Sequence, residues 1–298
     1  MKETIKGYLF IIGATVLFGT TGTAQMLGAS QLDPWVVGAF RLIIGGPVLM
    51  AASLLSASRA RTITAPPLYS LVFTAALGVV LFQFTFFEAV ARTGVATGTL
   101  VSIGSGPVIA GLLGAVFFKE ALDRPWALAT LLAVSGCALL VTSGKNVEMN
   151  AEGMGFALAA GAGYAVYVVA GRGLTRTMAP SRAMALILCL GAAMMIPFLG
   201  TSDLGPLTDK KVILALGYLG IFATALSYFM LTRGLAVVPI ASASVLLLVE
   251  PLVGSLLGIC LLGEALTPGS AAGMALIFSG MAVIALKEFR LSAYSMVK

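Results

Sequence analysis

Gly94-Val95-Ala96-Thr97-Gly98, running through Gly106-Pro107 to Lys119-Glu120-Ala121-Leu122, is answered later in the chain by Val238-Pro239-Ile240-Ala241-Ser242, running through Glu250-Pro251 to Gly263-Glu264-Ala265-Leu266. The two stretches share a constant offset of 144, seen from Pro107 to Pro251 and from Glu120 to Glu264. Both read as apolar helices with a proline near the middle, so one half of the chain reads as a diverged copy of the other. The likeness spreads outward. Lys6-Gly7-Tyr8-Leu9-Phe10 and Glu152-Gly153-Met154-Gly155-Phe156 open the halves alike, and Ser135-Gly136 matches Ser279-Gly280 near their ends.

The 298 residues are 59% hydrophobic and 10% charged, whereas charged residues alone make up about a quarter of a soluble domain. A membrane span needs about 20 mostly apolar residues. Such stretches run over Lys6–Leu27, Pro34–Ala57, Leu68–Val90, Val95–Phe118, Trp126–Ser143, Glu152–Gly171, Ser181–Gly200, Lys211–Thr232, Val238–Leu262 and Ser270–Leu286. That predicts an all-α integral membrane protein of about ten spans. Lys2 and Lys6 precede the first run in the manner of a secretory leader, but its length and its counterpart in the second half make it the first span.

Each half holds five spans, and an odd number inverts the copy in the membrane. Inverted repeats place a substrate site near the bilayer midplane between the halves. The expected boundaries are 1–145 and 150–290 for the repeats and 291–298 for a short tail, with a polar hinge over Gly144–Asn150 and a linker over Ser58–Pro67. Of the 18 Lys and Arg, only Arg92, Lys145, Lys210 and Lys211 fall on one set of loops, Arg41 falls inside a span, and the remainder lie on the other set. The positive-inside rule then puts both termini in the cytoplasm. The net charge of +6 is accounted for by this bias, so no nucleic-acid partner is expected. The basic end of the chain would meet anionic membrane lipid.

Histidine is absent, which removes the commonest general base and metal ligand. Neither GxxxxGK[ST] nor GxGxxG occurs. Cys137, Cys189 and Cys260 lie in separate spans and read as small apolar residues. No enzyme activity, cofactor or metal site is expected.

The chain resembles the ten-helix EamA-type members of the drug/metabolite transporter (DMT) superfamily. The resemblance rests on Pro107 with Lys119-Glu120-Ala121-Leu122, on Glu250-Pro251 with Gly263-Glu264-Ala265-Leu266, on the Gly- and Ser-rich starts of those helices, and on Arg41 in the second span. Within that group it is most similar to the YddG-type amino acid exporters. It implies a bacterial inner-membrane transporter that exports amino acids, aromatic or other neutral ones, or similar small metabolites by alternating access. Protons are a candidate coupling ion. A multidrug or cationic-compound exporter and a passive facilitator stand as alternatives. The sequence departs from the aromatic-exporter pattern in having fewer bulky aromatics at the central positions.

Pro107 and Pro251 remove backbone donors and release the carbonyls of Ile103 and Leu247, so these helices are expected to bend and to line the cavity. Glu250, about midway through its span, is a functional candidate by default, able to take a substrate amino group or a proton. Gln83, Ser102, Ser105, Gly106, Tyr164, Tyr167, Ser227 and Tyr228 complete the expected substrate-binding set, with Phe18, Thr21, Phe82, Phe86 and Thr224 on the same helix faces. Arg41, Glu88 and Arg92 read as a structural ion pair or triad. With no Lys or Arg expected at mid-span, phosphate-bearing substrates are disfavoured.

Overall fold

The structure is a computed structural model that describes residues 2–55, 66–142, 150–175, 177–262 and 266–296; at some helical positions, among them 93–100, Pro107 and 288–296, it describes the backbone alone. Residues 144–149 of the expected hinge, residues 58–65 of the expected linker with Arg59 and Arg61, and Gly263-Glu264-Ala265 lie outside the described residues. All regular structure among the described residues is helical. Its elements are α1 (Lys2–Gly19), α2 (Thr21–Gly28), α3 (Pro34–Leu55), α4 (Pro66–Phe118), α5 (Arg124–Thr142), α6 (Ala151–Thr175), α7 (Pro180–Leu199), α8 (Lys210–Gly220), α9 (Ser227–Leu235), α10 (Ile240–Leu247), α11 (Val249–Leu262) and α12 (Pro268–Met296). Seven stretches are long and apolar enough to cross a membrane, and shorter apolar helices at Arg124–Leu139, Val245–Leu261 and Pro268–Ile284 occupy the expected fifth, ninth and tenth places. Leu55, Val116, Leu131 and Leu214 point outward, a surface that lipid, not water, would cover.

The helical run α4 contains two expected spans, and its contacts show that they are antiparallel limbs. Going down the first limb, Arg92 meets Glu152 at 2.7 Å, Gly78 meets Gly163 backbone to backbone, and Leu71 meets Gly173, so this limb runs against α6. In the second limb Ser102 meets Gly161 while Phe118 meets Arg172, so that limb runs along it. The chain therefore reverses between the limbs while keeping helical backbone.

The duplication is visible in atomic detail where α5 packs on α12. A Cβ placed on Gly136 would lie 2.6 Å from the Gly273 carbonyl oxygen and 2.8 Å from Ile277, while one on Gly280 would lie 2.7 Å from the Ala129 carbonyl oxygen and 3.3 Å from the Ala133 Cβ. Each of these three positions in α5 has its counterpart 144 residues on in α12 (129 to 273, 133 to 277, 136 to 280), so exchanging the repeats maps the contact onto itself. The same exchange turns the packing of α6 on α4 into that of α1 on α9, α10 and α11, and it leaves the α3–α7 pair unchanged. That is the pattern of a two-fold axis between five-helix repeats. Without a hydrophobic drive between helices in lipid, small residues that let backbones touch are what hold such pairs.

Three spans are interrupted. The first breaks at Thr20, whose Oγ1 lies 2.8 Å from Tyr218 Oη. The eighth widens into a π-turn at Ile221–Leu226, and Thr224 and Ser227 donate back five residues to the Leu219 (2.8 Å) and Phe222 (2.9 Å) carbonyls. The ninth breaks at Leu248, three residues before Pro251, dividing α10 from α11. Helical backbone continues through Pro107, so the expected bend differs between the two prolines.

Candidate functional site

The three interruptions surround one cavity of about 350 Å³, the size of a site for a single small molecule. The first repeat supplies Phe18, Thr21 and Gln25 from α1 and α2, Arg41 from α3, and Phe82, Gln83, Phe86, Phe87 and Ser102 from α4. The second supplies Tyr164 and Tyr167 from α6, Thr224 from the π-turn, Tyr228 from α9, and Leu247, Glu250 and Pro251 from α10 and α11.

Of the expected set, Gln83, Ser102, Tyr164, Tyr167, Tyr228 and Glu250 line the cavity, with Pro251. Ser105, Gly106 and Ser227 do not. Ser105 donates to the Ser102 carbonyl at 3.4 Å, Gly106 packs under the Tyr164 ring, and the Ser227 hydroxyl is used by the π-turn. Several aromatic rings nevertheless gather at the cavity. Phe82, Tyr164, Tyr167, Tyr228 and Phe18 form a chain of ring contacts with centroids 6.5, 5.2, 5.9 and 5.1 Å apart. Aromatic pairs at such spacings are favourable beyond their area, and here they build one continuous wall.

The largest departure concerns Arg41. Glu88 and Arg92 do pair, at 3.0 Å, but their third member is Glu152, and Arg92 also lies 4.9 Å from the centre of the Phe156 ring. Arg41 stands apart and faces the cavity. Its Nε donates to Thr224 Oγ1 at 3.1 Å and its Nη2 to the Ala223 carbonyl at 3.3 Å. A π-turn widens the helix and opens carbonyls to outside donors, which is why such turns recur at functional sites. Arg41 thus brings a cation to the cavity from one half of its span.

Glu250 lines the same cavity and, among the described residues, takes no hydrogen bond and no ion pair. Three further polar atoms that border this space, Thr21 Oγ1, Ser102 Oγ and Tyr164 Oη, are buried without a partner. Buried polar groups are normally satisfied, and each exception asks for an explanation. Gln25 and Phe87 are not singled out by the sequence, and Arg41, read there as an ion-pair residue, lines the cavity instead. Gln25 follows the break at Thr20, and Arg41 is bonded to the π-turn.

At one end of the bundle, clear of the cavity, a second polar cluster ties three spans. Arg172 Nη1 lies 3.4 Å from Glu120 Oε1, its guanidinium sits 5.3 Å from the Phe118 ring centre, and it donates to the Val238 carbonyl. Glu120 Oε1 in turn accepts from the Ile240 N–H at 3.1 Å.

The EamA-like transporter family matches residues 5–142 and 151–286. "Uncharacterized transporter YwfM" of Bacillus subtilis (strain 168) is 38% identical over 284 residues, covering 95% of both chains. "Threonine/homoserine exporter RhtA" of Escherichia coli (strain K12) is 28% identical over 166 residues, covering 55% of this chain and 54% of its own. A solved crystal structure superimposes with a TM-score of 0.84 at 22% identity, over 96% of this chain and 98% of the other, and shows the same fold.

Proposed function

The chain belongs to the EamA-like transporter family and is a membrane transporter, and from that premise we propose that it exports amino acids, aromatic or other neutral ones, or similar small metabolites, across a bacterial inner membrane. The observation that carries this reading is a cavity, lined from both repeats, that holds one carboxylate and one guanidinium against an aromatic wall. Residues 1–145 and 150–290 are the two halves that rock about it, with 291–298 as a tail. The loops rich in Lys and Arg, and both termini, face the cytoplasm, which places the Glu120–Arg172 cluster on that side. The partial similarity to a threonine and homoserine exporter supports the substrate class. A cationic drug would suit Glu250 but would meet Arg41 in the same space, so like charges would oppose it.

Counterflow of labelled amino acids, sugars and cationic drugs into proteoliposomes tests the reading. Amino acids are expected to exchange, and a flat response to all of them overturns it. Glu250→Gln and Tyr228→Ala are expected to lower exchange while leaving the amount of inserted protein unchanged. Accumulation driven by a pH gradient separates proton-coupled export from passive facilitation.

A further inference from the structure

We propose that Arg41 and Glu250 form a two-point receptor for the zwitterion of an α-amino acid, the guanidinium taking the carboxylate and the carboxylate taking the ammonium. The proposal rests on the reading of this cavity as the transport site.

Opposite charges in a space of low dielectric attract strongly, and these two feel each other's charge across one cavity of about 350 Å³ without coming within ion-pair distance among the described residues. Both are held back by backbone. Arg41 is tied to the π-turn by Thr224 Oγ1 and the Ala223 carbonyl, and Glu250 is carried on α11 just beyond the break at Leu248. A buried charge whose counter-charge stays beyond contact is incompletely compensated. A ligand that brings one charge of each sign, on adjacent atoms, satisfies both side chains at once and adds no net charge to the site.

The assignment of ends follows from donor geometry. A guanidinium offers five N–H groups in a planar fork, and the two bonds to Thr224 and Ala223 leave others facing the cavity, where they match a carboxylate. Glu250 is an acceptor when ionised and fits an ammonium. The unpartnered hydroxyls of Thr21, Ser102 and Tyr164 belong to residues that line the same cavity. The rings of Phe18, Phe82 and Tyr228 leave the side chain an apolar wall, so a third charge on the ligand would have no partner.

The test compares each of phenylalanine, leucine and threonine with its decarboxylated amine and its deaminated acid, as competitors of counterflow in proteoliposomes of the full-length protein. For any amino acid that the wild-type protein moves, both one-charge analogues are expected to compete at least about tenfold more weakly, because a site built for a polar group rejects ligands that leave it unpaired. Arg41→Gln is expected to reverse the preference toward the amine, and Glu250→Gln toward the acid. Analogues that compete as well as the parent amino acid overturn the two-point receptor while leaving amino acid transport intact. Failure of all three amino acids to exchange overturns both readings. The competition series needs only the wild-type protein, so a variant that does not insert leaves the test standing.

Discussion

Glu120 and Arg172, 3.4 Å apart and both mostly buried, join the end of α4 to the end of α6, and Glu120 also caps the first turn of α10 through the Ile240 N–H. Lys119 makes this possible. It sits at φ 56, the left-handed conformation that ends many helices, and the Glu120 N–H reaches back to the Gly114 carbonyl at 3.5 Å. Lys119-Glu120 is thus a helix stop that throws a carboxylate across to the other repeat.

Such a tie closes one end of the bundle and must open if the site is to be reached from that end. Hydrogen bonds to charged groups contribute about 1.5–3 kcal/mol, so Glu120→Gln is expected to shift the equilibrium toward that open state about tenfold or more. A reporter is Val238→Cys, fully buried beside the tie, in a background with Cys137, Cys189 and Cys260 replaced. Its labelling by a water-soluble maleimide should accelerate by that factor in Glu120→Gln. An unchanged rate would sink the gating role.

Thr224→Val tests the seat of Arg41. Valine keeps the shape but removes the hydroxyl that accepts from Arg41 Nε and donates to the Leu219 carbonyl, and the unmade bonds cost about 1–3 kcal/mol. The half-saturating concentration of the exchanged amino acid is expected to rise about tenfold, and Thr224→Ser, which keeps the hydroxyl, should restore it. Equal behaviour of the Val and Ser variants would detach Thr224 from substrate binding.

What could be read from the sequence follows from what repeats. Pro107 and Pro251, Gly136 and Gly280 gave the duplication, the span order and the inversion, because helix packing in lipid selects small residues at fixed intervals. Glu250 was legible because an acid in an apolar run is expensive wherever it faces. Arg41 was legible as a charge inside a span but not as a cavity residue, since its partners lie 183 and 182 residues away and a π-turn in Ile221–Leu226 has no signature in a run of ordinary helix formers. Ser105 and Ser227 share helix faces with true lining residues, yet each spends its hydroxyl on a nearby carbonyl, and spacing alone does not distinguish a bonded serine from a free one.

Gly136→Val and Gly280→Val are expected to damage folding to a similar extent. In each case the added carbon would strike backbone, the Gly273 or Ala129 carbonyl, which yields less readily than a flexible side chain. Overpacking of this kind typically costs about 1–3 kcal/mol. The yield of monodisperse protein in detergent should fall in both, while Leu131→Val, on the exposed face of α5, should leave it unchanged. A marked difference between the two glycine variants would contradict the symmetric packing of α5 and α12.

Outside the spans, Asp123 caps α5 through the Trp126 N–H at 3.0 Å and pairs with Lys287 Nζ at 2.9 Å. Partial burial pushes its carboxyl up, but the bonds from Lys287 and Trp126 outweigh it and hold the group below the usual aspartate range. A carboxyl lowered in the folded state stabilises the fold fully above its unfolded value, about 3.9, and loses that contribution as pH falls through its folded value. In thermal unfolding of detergent-solubilised protein, wild type should therefore exceed Asp123→Asn by a constant margin from pH 7 down to about pH 5, with the gap narrowing below about pH 4. Because the pair is partly exposed, salt should shrink the same margin. A margin that instead widens on acidification would mean that the carboxyl is held above its ordinary value, and that burial, not Lys287, governs this corner of the α5–α12 packing.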